Sequence, residues 1–463
     1  MSEKFVHPYI PNSVPEVQAE MLKSIGAKDI EEFFAPIPEA LRVKGLLDLP
    51  KPFLSEASLK RHVEGILSKN RTGGELLCFL GGGCWNHYVP AVCDEVNGRS
   101  EFLTAYAGEP YEDHGRFQAL FEYESLMAEL LDVDVVNVPT YDGSQAAGTA
   151  LRMAGRITAR DEVLAADTTS PDRLSAIRGY LHPDMKVTLV GHDPKSGLMD
   201  RADLAAKTTG RTAAVYFENP SYLGFIETAG REIADAAHAK GALCVVYADP
   251  SSLGVLTPPG RYGADLTCGD IQSLGLHMHM GGARGGFIGG SDDLKFIEEY
   301  PSRLFGIAPT SHREWGFGDV AWERTSFAKR ENGKEFVGTA AALWGITAAV
   351  YLSLMGPAGM KELGTACMGR TAYAMKKLGA VEGVRVPAIG GAFFKEFPVN
   401  FDGTGRTVEE INKALLEKGI LGGHDLSKAF QALGQSALYA FTEVVTQDDI
   451  DTLADALAEV TAR

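Results

Sequence analysis

Several things are missing from these 463 residues. The six cysteines, Cys78, Cys84, Cys93, Cys244, Cys268 and Cys367, form no Cys-x-x-Cys pair, which argues against a disulfide framework or a zinc ribbon and for reduced thiols. There is no basic run, and 44 Lys+Arg against 61 Asp+Glu leave a formal charge of −17, so the chain as a whole repels phosphate backbones and anionic lipid. The opening MSEKFVHPY has neither the basic nor the apolar stretch of a secretory signal, and a cytoplasmic protein is expected. The uncharged run at 336–355, FVGTAAALWGITAAVYLSLM, is rich in Ala, Gly and Thr, and we read it as a buried linking helix rather than a membrane span. Internal repeats, heptads and low-complexity tracts are also missing.

Length sets the next constraint. Single cores stop growing at roughly 250 to 300 residues, so two or three domains are expected. Helical patterns at 14–25, 29–34 and 58–69, broken by prolines, predict an N-terminal helical extension over 1–70. From 133 onward short apolar runs (DVVNV, EVLAA, VTLVG, AAVYFE, LCVVYA) alternate with helical segments such as 144–156 and 232–240, which is βαβ rhythm and predicts an α/β domain with a mostly parallel sheet over 71–335. The remainder, 336–463, combines helices at 360–378, 408–418 and 447–462 with a strand near 392–401, and predicts a small α+β domain.

Several places could carry chemistry. Tyr141-Asp142-Gly143-Ser144 follows a strand and opens a helix, where backbone N–H groups can hold a phosphate or an Asp can simply cap. Asp249 ends the apolar strand 243–248, at the sheet edge where such folds bind ligands; it can pair with a pyridinium nitrogen or merely begin the turn Asp249-Pro250-Ser251-Ser252. A Schiff-base lysine would then be sought in 263–290, GADLTCGDIQSLGLHMHMGGARGGFIGG, and no lysine is present there. His277 and His279 could chelate a metal from an extended segment, but no third ligand lies nearby, so they are read as interface or loop-bonding groups and no metal is expected. Finally, loops 80–90 and 102–115 carry His87, Tyr88, Tyr106, Tyr111 and His114, either as ligand or partner contacts or as ordinary surface turns.

In order along the chain, YIPNSVPEVQAEML, GLLDLP, FLGGGCWNHYVPAV, GRFQALFEYESLMAELLDVDVVNVPTYDGS, YADPSSLGVLTPPGRYGADLTCGDIQSLG, AAVYLSLMGPAGM, FFKEFPVNF and LGGHDLS resemble subunit 1 of the two-subunit glycine decarboxylase P-protein family. The resemblance implies a fold type I pyridoxal-phosphate (aminotransferase-like) large domain and an α2β2 heterotetramer. It also implies pyridoxal phosphate held covalently by a lysine of the partner subunit. Aligned with that partner, Gln272 and Ser273 stand where its His and Lys would be, so Tyr141, Asp142, Gly143, Ser144, Asp249, Gln272 and Ser273 would form a vestigial cofactor pocket. The implied reaction decarboxylates glycine and passes the aminomethyl group to lipoyl H-protein. This chain would shape pocket and channel through His87, Tyr88, Tyr106 and Tyr111, with no activity alone.

Three loops depart from the family's usual wording: TAYAGEPYE at 104–112, SLGLHMHMGGARGG at 273–286 and RTSFAKRENG at 324–333. They leave open a paralogous complex acting on another small amine or amino acid, a non-catalytic scaffold, or an enzyme using Lys329 or Lys334.

Overall fold

The computed structural model describes the chain except residues 1–5, 8, 46, 103–113, 280–283, 321–330, 332, 336, 339 and 463. It divides into two compact units, Met1–Arg71 and Thr72–Arg463. In the first, Pro15–Ser24 and Glu56–Leu67 are α-helices near the predicted positions, while Ile30–Phe34 tightens into a 3-10 turn capped by Asp29. Among the described residues of this unit none is buried.

The second unit is built on a seven-stranded sheet. Its strands are β1 (Val135–Val136), β2 (Glu162–Ala166), β3 (Lys186–Val190), β4 (Thr212–Asn219), β5 (Leu243–Ala248), β6 (Leu266–Asp270) and β7 (Gly286–Gly290). The spatial order is β1-β7-β6-β5-β4-β2-β3, with the five strands β6 to β3 parallel and β7 antiparallel to both β6 and β1. Both faces are covered, which is why these strands read as apolar runs without alternation. Val163, Tyr216 and Val245 pack with helix Gly143–Thr158 on one side; Leu164, Val215 and Val246 pack with Ile233, Ala234 and Ala237 of helix Gly230–His238 on the other.

Helix Gly143–Thr158 lies close because its inner face is Ala and Gly. A Cβ at Gly148 would sit 2.9 Å from the Tyr180 side chain in the next helix. The apolar segment near 336–355 and the helix expected at 360–378 are merged over Ala342–Leu378, broken only at Gly356 (φ 57°), where Pro357 cannot continue the hydrogen-bond ladder. It is long and apolar enough to span a membrane by composition. Its Ala348, Tyr351 and Leu352 nevertheless pack on Tyr123 and Met127 within the core of this unit.

The C-terminal part folds Glu396–Asn400, Ser436–Ala440 and His424–Asp425 into an antiparallel sheet, backed by helices Val408–Glu417 and Gln447–Thr461, each with a capping box. Its core centres on Phe397, stacked on Phe441 at 5.2 Å and 9°. Truncating that ring leaves a void the sheet cannot close, so Phe397→Ala is expected to lose about 3–5 kcal/mol, read as a lower denaturant midpoint at unchanged slope.

Candidate functional site

The carboxyl ends of β5 and β6 meet loop 80–90 and the edge of the small sheet. β5 is apolar throughout, and the first polar residue after it is Asp249, placed at the sheet edge by that pattern. Its Oδ1 accepts from the Ser251 N–H (3.1 Å), the Ser251 hydroxyl (2.8 Å) and the Ser273 hydroxyl (3.1 Å). Oδ2 is 2.7 Å from Nζ of Lys395, a lysine only 2% exposed.

That ammonium has three protons and three partners. Besides Asp249 it donates to His87 Nε2 (2.9 Å) and Ser251 Oγ (3.1 Å), and it stands 3.5 Å from the centre of the Trp85 ring. An ammonium cannot accept, so His87 Nε2 must be the acceptor and Nδ1 the donor; Nδ1 lies 2.7 Å from Glu443 Oε2. The Tyr88 N–H donates to the other Glu443 oxygen at 2.7 Å. The network therefore reads Glu443 carboxylate, neutral imidazole, ammonium, Asp249 carboxylate.

Electrostatics follow that order. Burial, then the neighbouring Lys395, lowers the pKa of His87 against the pull of Glu443. For Asp249 burial acts upward, but its neighbours together, the Lys395 ammonium foremost, outweigh it and hold the carboxyl below its usual range. Burial also acts upward on Glu443, where the His87 and Tyr88 donors win and bring it to about 2. Glu396, beside Lys395 in sequence, accepts from the Gly82 N–H at 2.7 Å, and burial pushes it up to about 7.

A second cluster lies at the amino end of helix Gly143–Thr158. Asp142 caps the helix, its Oδ1 accepting from the Gln145 N–H at 2.8 Å. The Gly143 N–H donates to Asp270 Oδ2 at 2.9 Å, and a Cβ at Gly143 would lie 2.4 Å from the Tyr247 hydroxyl. Arg284 joins the two carboxylates, 3.2 Å from Asp142 and 3.5 Å from Asp270. Burial raises Asp270 to about 6 against the pull of Arg284. Nearby, Arg173 pairs with buried Glu218 and covers the Tyr247 ring at 3.6 Å.

The structure pairs Asp249 with Ser273 in the first cluster and places Asp142 and Gly143 in the second, with Tyr141 exposed and Ser144 half-buried next to them in sequence. Gln272 turns elsewhere: its amide accepts from the Trp85 N–H and donates to the Trp85 and Leu276 carbonyls, pinning loop 80–90 to the turn after β6. His87 is buried in the network, while Tyr88 is exposed. Tyr106, Tyr111 and Lys329 lie outside the described residues, and Lys334 pairs with Glu299. His277 bonds Asp94 at 3.0 Å and His279 lies against Trp344. No group of His, Cys, Asp or Glu suited to a metal occurs among the described residues, and all six cysteines are free.

Lys395, Glu443, Asp270 and Arg284 were not among the candidates. The signal for Lys395 was there: two adjacent charges inside the apolar run Phe393-Phe394-Lys395-Glu396-Phe397.

Two expectations follow. Lys395→Met leaves Asp249 buried without its cation and should cost about 3–5 kcal/mol, much of it recovered in Lys395→Met/Asp249→Asn; denaturant midpoints of the two variants check this. Glu396 has a raised folded pKa, so the native state holds its proton longer than the unfolded chain, and stability falls as pH rises from the ordinary carboxylate value to about 7. Glu396→Gln should flatten that part of the profile, by up to about 1.4 kcal/mol per pH unit.

Comparison with known proteins shows the family and the fold. The model of the glycine cleavage system P-protein family matches residues 7–457. A relative in Staphylothermus marinus, called probable glycine dehydrogenase (decarboxylating) subunit 1, is 38% identical over 98% of both chains. The crystal structure of an inhibitor-bound glycine decarboxylase (P-protein) of the glycine cleavage system is 32% identical, covers 98% of this chain and 100% of its own, and superposes with a TM-score of 0.84. A sphingosine-1-phosphate lyase of Burkholderia pseudomallei, 14% identical over 92% of this chain and 94% of its own with a TM-score of 0.64, shares the fold alone. The fold is that of the fold type I pyridoxal-phosphate enzymes, and the chain belongs to the glycine cleavage system P-protein family.

Proposed function

We propose that this chain is the subunit of a glycine-decarboxylating P-protein that carries no Schiff-base lysine. It would pair with a lysine-bearing second subunit in an α2β2 heterotetramer of the cytoplasm that serves lipoyl H-protein. One observation carries the reading. Ser273, aligned with the partner's lysine, directs a hydroxyl at Asp249, and a hydroxyl cannot form the imine. Pyridoxal phosphate on the partner would supply the electron sink for loss of carbon dioxide from glycine.

The contribution of this chain is then shape and orientation. Exposed Tyr88 has its backbone tied to Glu443, and Glu443 is tied through His87 to the buried ammonium, so the loop presents its ring from a fixed base. Tyr106 and Tyr111 complete the proposed channel set, and the remaining pocket residues are vestigial.

The test uses the full chain with pyridoxal phosphate, first alone and then with the second subunit from the same genome, followed by borohydride reduction and peptide mapping. A visible cofactor band and a reduced label only in the mixture, on the partner's lysine, with glycine decarboxylation only there, are the expected result. A label on any buried lysine of this chain would overturn the reading.

A further inference from the structure

We propose that two side chains of this chain close its pocket to pyridoxal phosphate by standing at both of the cofactor's anchor points. The Lys395 ammonium takes the place on Asp249 that a pyridinium nitrogen needs. The Asp270 carboxylate takes the place at the amino end of helix Gly143–Thr158 that a phosphate needs. The proposal rests on the reading that the cofactor belongs to the partner, and goes beyond the missing lysine: it excludes non-covalent binding as well.

The residues present do not fit the cofactor at either end. A ring nitrogen kept protonated requires a free carboxylate oxygen. Here Asp249 Oδ1 already accepts from three donors and Oδ2 is 2.7 Å from Lys395, whose protons are all spent. A phosphate at a helix end requires unspent N–H groups and a positive surround. The Gly143 N–H is given to Asp270, the Gln145 N–H to Asp142, and the nearby Arg284 faces both of those carboxylates.

Space agrees with charge. The cavity lined by Trp85, Arg173, Tyr247, Asp249 and Lys395 measures about 30 Å³, against about 150 Å³ for an engineered cavity that takes up benzene. The fold keeps the place of the cofactor and fills it with an internal cation and an internal anion. Each is compensated by groups from other segments, so the pocket is complete without a ligand.

The probe is pyridoxamine 5′-phosphate, whose amine cannot condense with lysines, so any signal is binding at the pocket rather than surface labelling. Titrated by fluorescence into the full chain, it should show no saturable binding at concentrations that saturate the lysine-bearing partner. Lys395→Ala/Asp270→Asn, confirmed as folded by circular dichroism, should gain saturable binding at least about tenfold tighter than the native chain. Saturable binding to the native chain, or no gain in the folded variant, overturns the proposal.

Should the variant not fold, acylation of the native chain with peptide mapping decides alongside the native titration. Lys395 should stay unmodified until the protein is unfolded, and rapid native modification counts against the proposal. Native binding of the analogue, with the borohydride label still on the partner, would sink this inference and leave the proposed function intact. A pyridoxal-phosphate label on Lys395 would sink both.

Discussion

A lysine ammonium held away from water beneath a sheet edge sets the terms for the rest of this molecule. Left alone, such a charge costs several kcal/mol or loses its proton. Asp249, His87 and Ser251 each take one of the hydrogens of Lys395. Those partners arrive from far apart in sequence, 308 residues away in the case of His87. Each is held in turn: His87 by Glu443, Glu443 by the Tyr88 backbone, Asp249 by Ser251 and Ser273. Loop 80–90, the β5 and β6 edges, the small sheet and the segment after Ala440 must all be in register for the charge to be satisfied. The ion pair thus couples the α/β sheet to the C-terminal sheet by geometry as well as by energy.

Burial alone does not set the ionisation of the carboxylates around it. Glu443, Asp249, Glu396 and Asp270 are all withdrawn from water, and burial pushes each one up. Glu443 ends near 2 and Asp249 below its usual range because their donors and nearby cations together outweigh burial, while for Glu396 and Asp270 burial outweighs the backbone N–H groups and nearby cations and they reach about 7 and about 6. Donors decide the sign. Around neutral pH the pocket therefore holds firm charges on Asp249 and Glu443 and soft ones on Glu396 and Asp270.

What could be read in the sequence was local or subtractive. β5 is an unbroken apolar run ending in Asp249, and both the strand and the placement of its carboxylate follow from that pattern. Ser273 comes from the family resemblance, which aligns it with the partner's lysine and agrees with the absence of lysine in 263–290, and it does face Asp249. Gln272, its neighbour, points at Trp85 instead, since consecutive residues in a turn do not share a direction. Lys395 escaped because a charge inside a strand reads as solvent-facing until its partners are known, and those partners lie in loops whose meeting is a property of topology. The same holds for Asp270: β6 reads as a buried strand, and only the approach of helix Gly143–Thr158 makes its last residue an internal anion.

Replacing a buried ion pair by apolar groups of similar volume is often neutral or stabilising, whereas removing one member leaves an uncompensated charge. In this chain removing the lysine strands Asp249, removing Asp249 strands the lysine, and removing His87 leaves both Lys395 and Glu443 short of a partner. Each single removal therefore leaves an uncompensated buried group, whichever member is taken first. By the proposal above, admitting pyridoxal phosphate would require loss of the Lys395 cation and release of the Gly143 N–H together, with a lysine at position 273 needed only for the imine, and loss of the Lys395 cation alone strands buried Asp249.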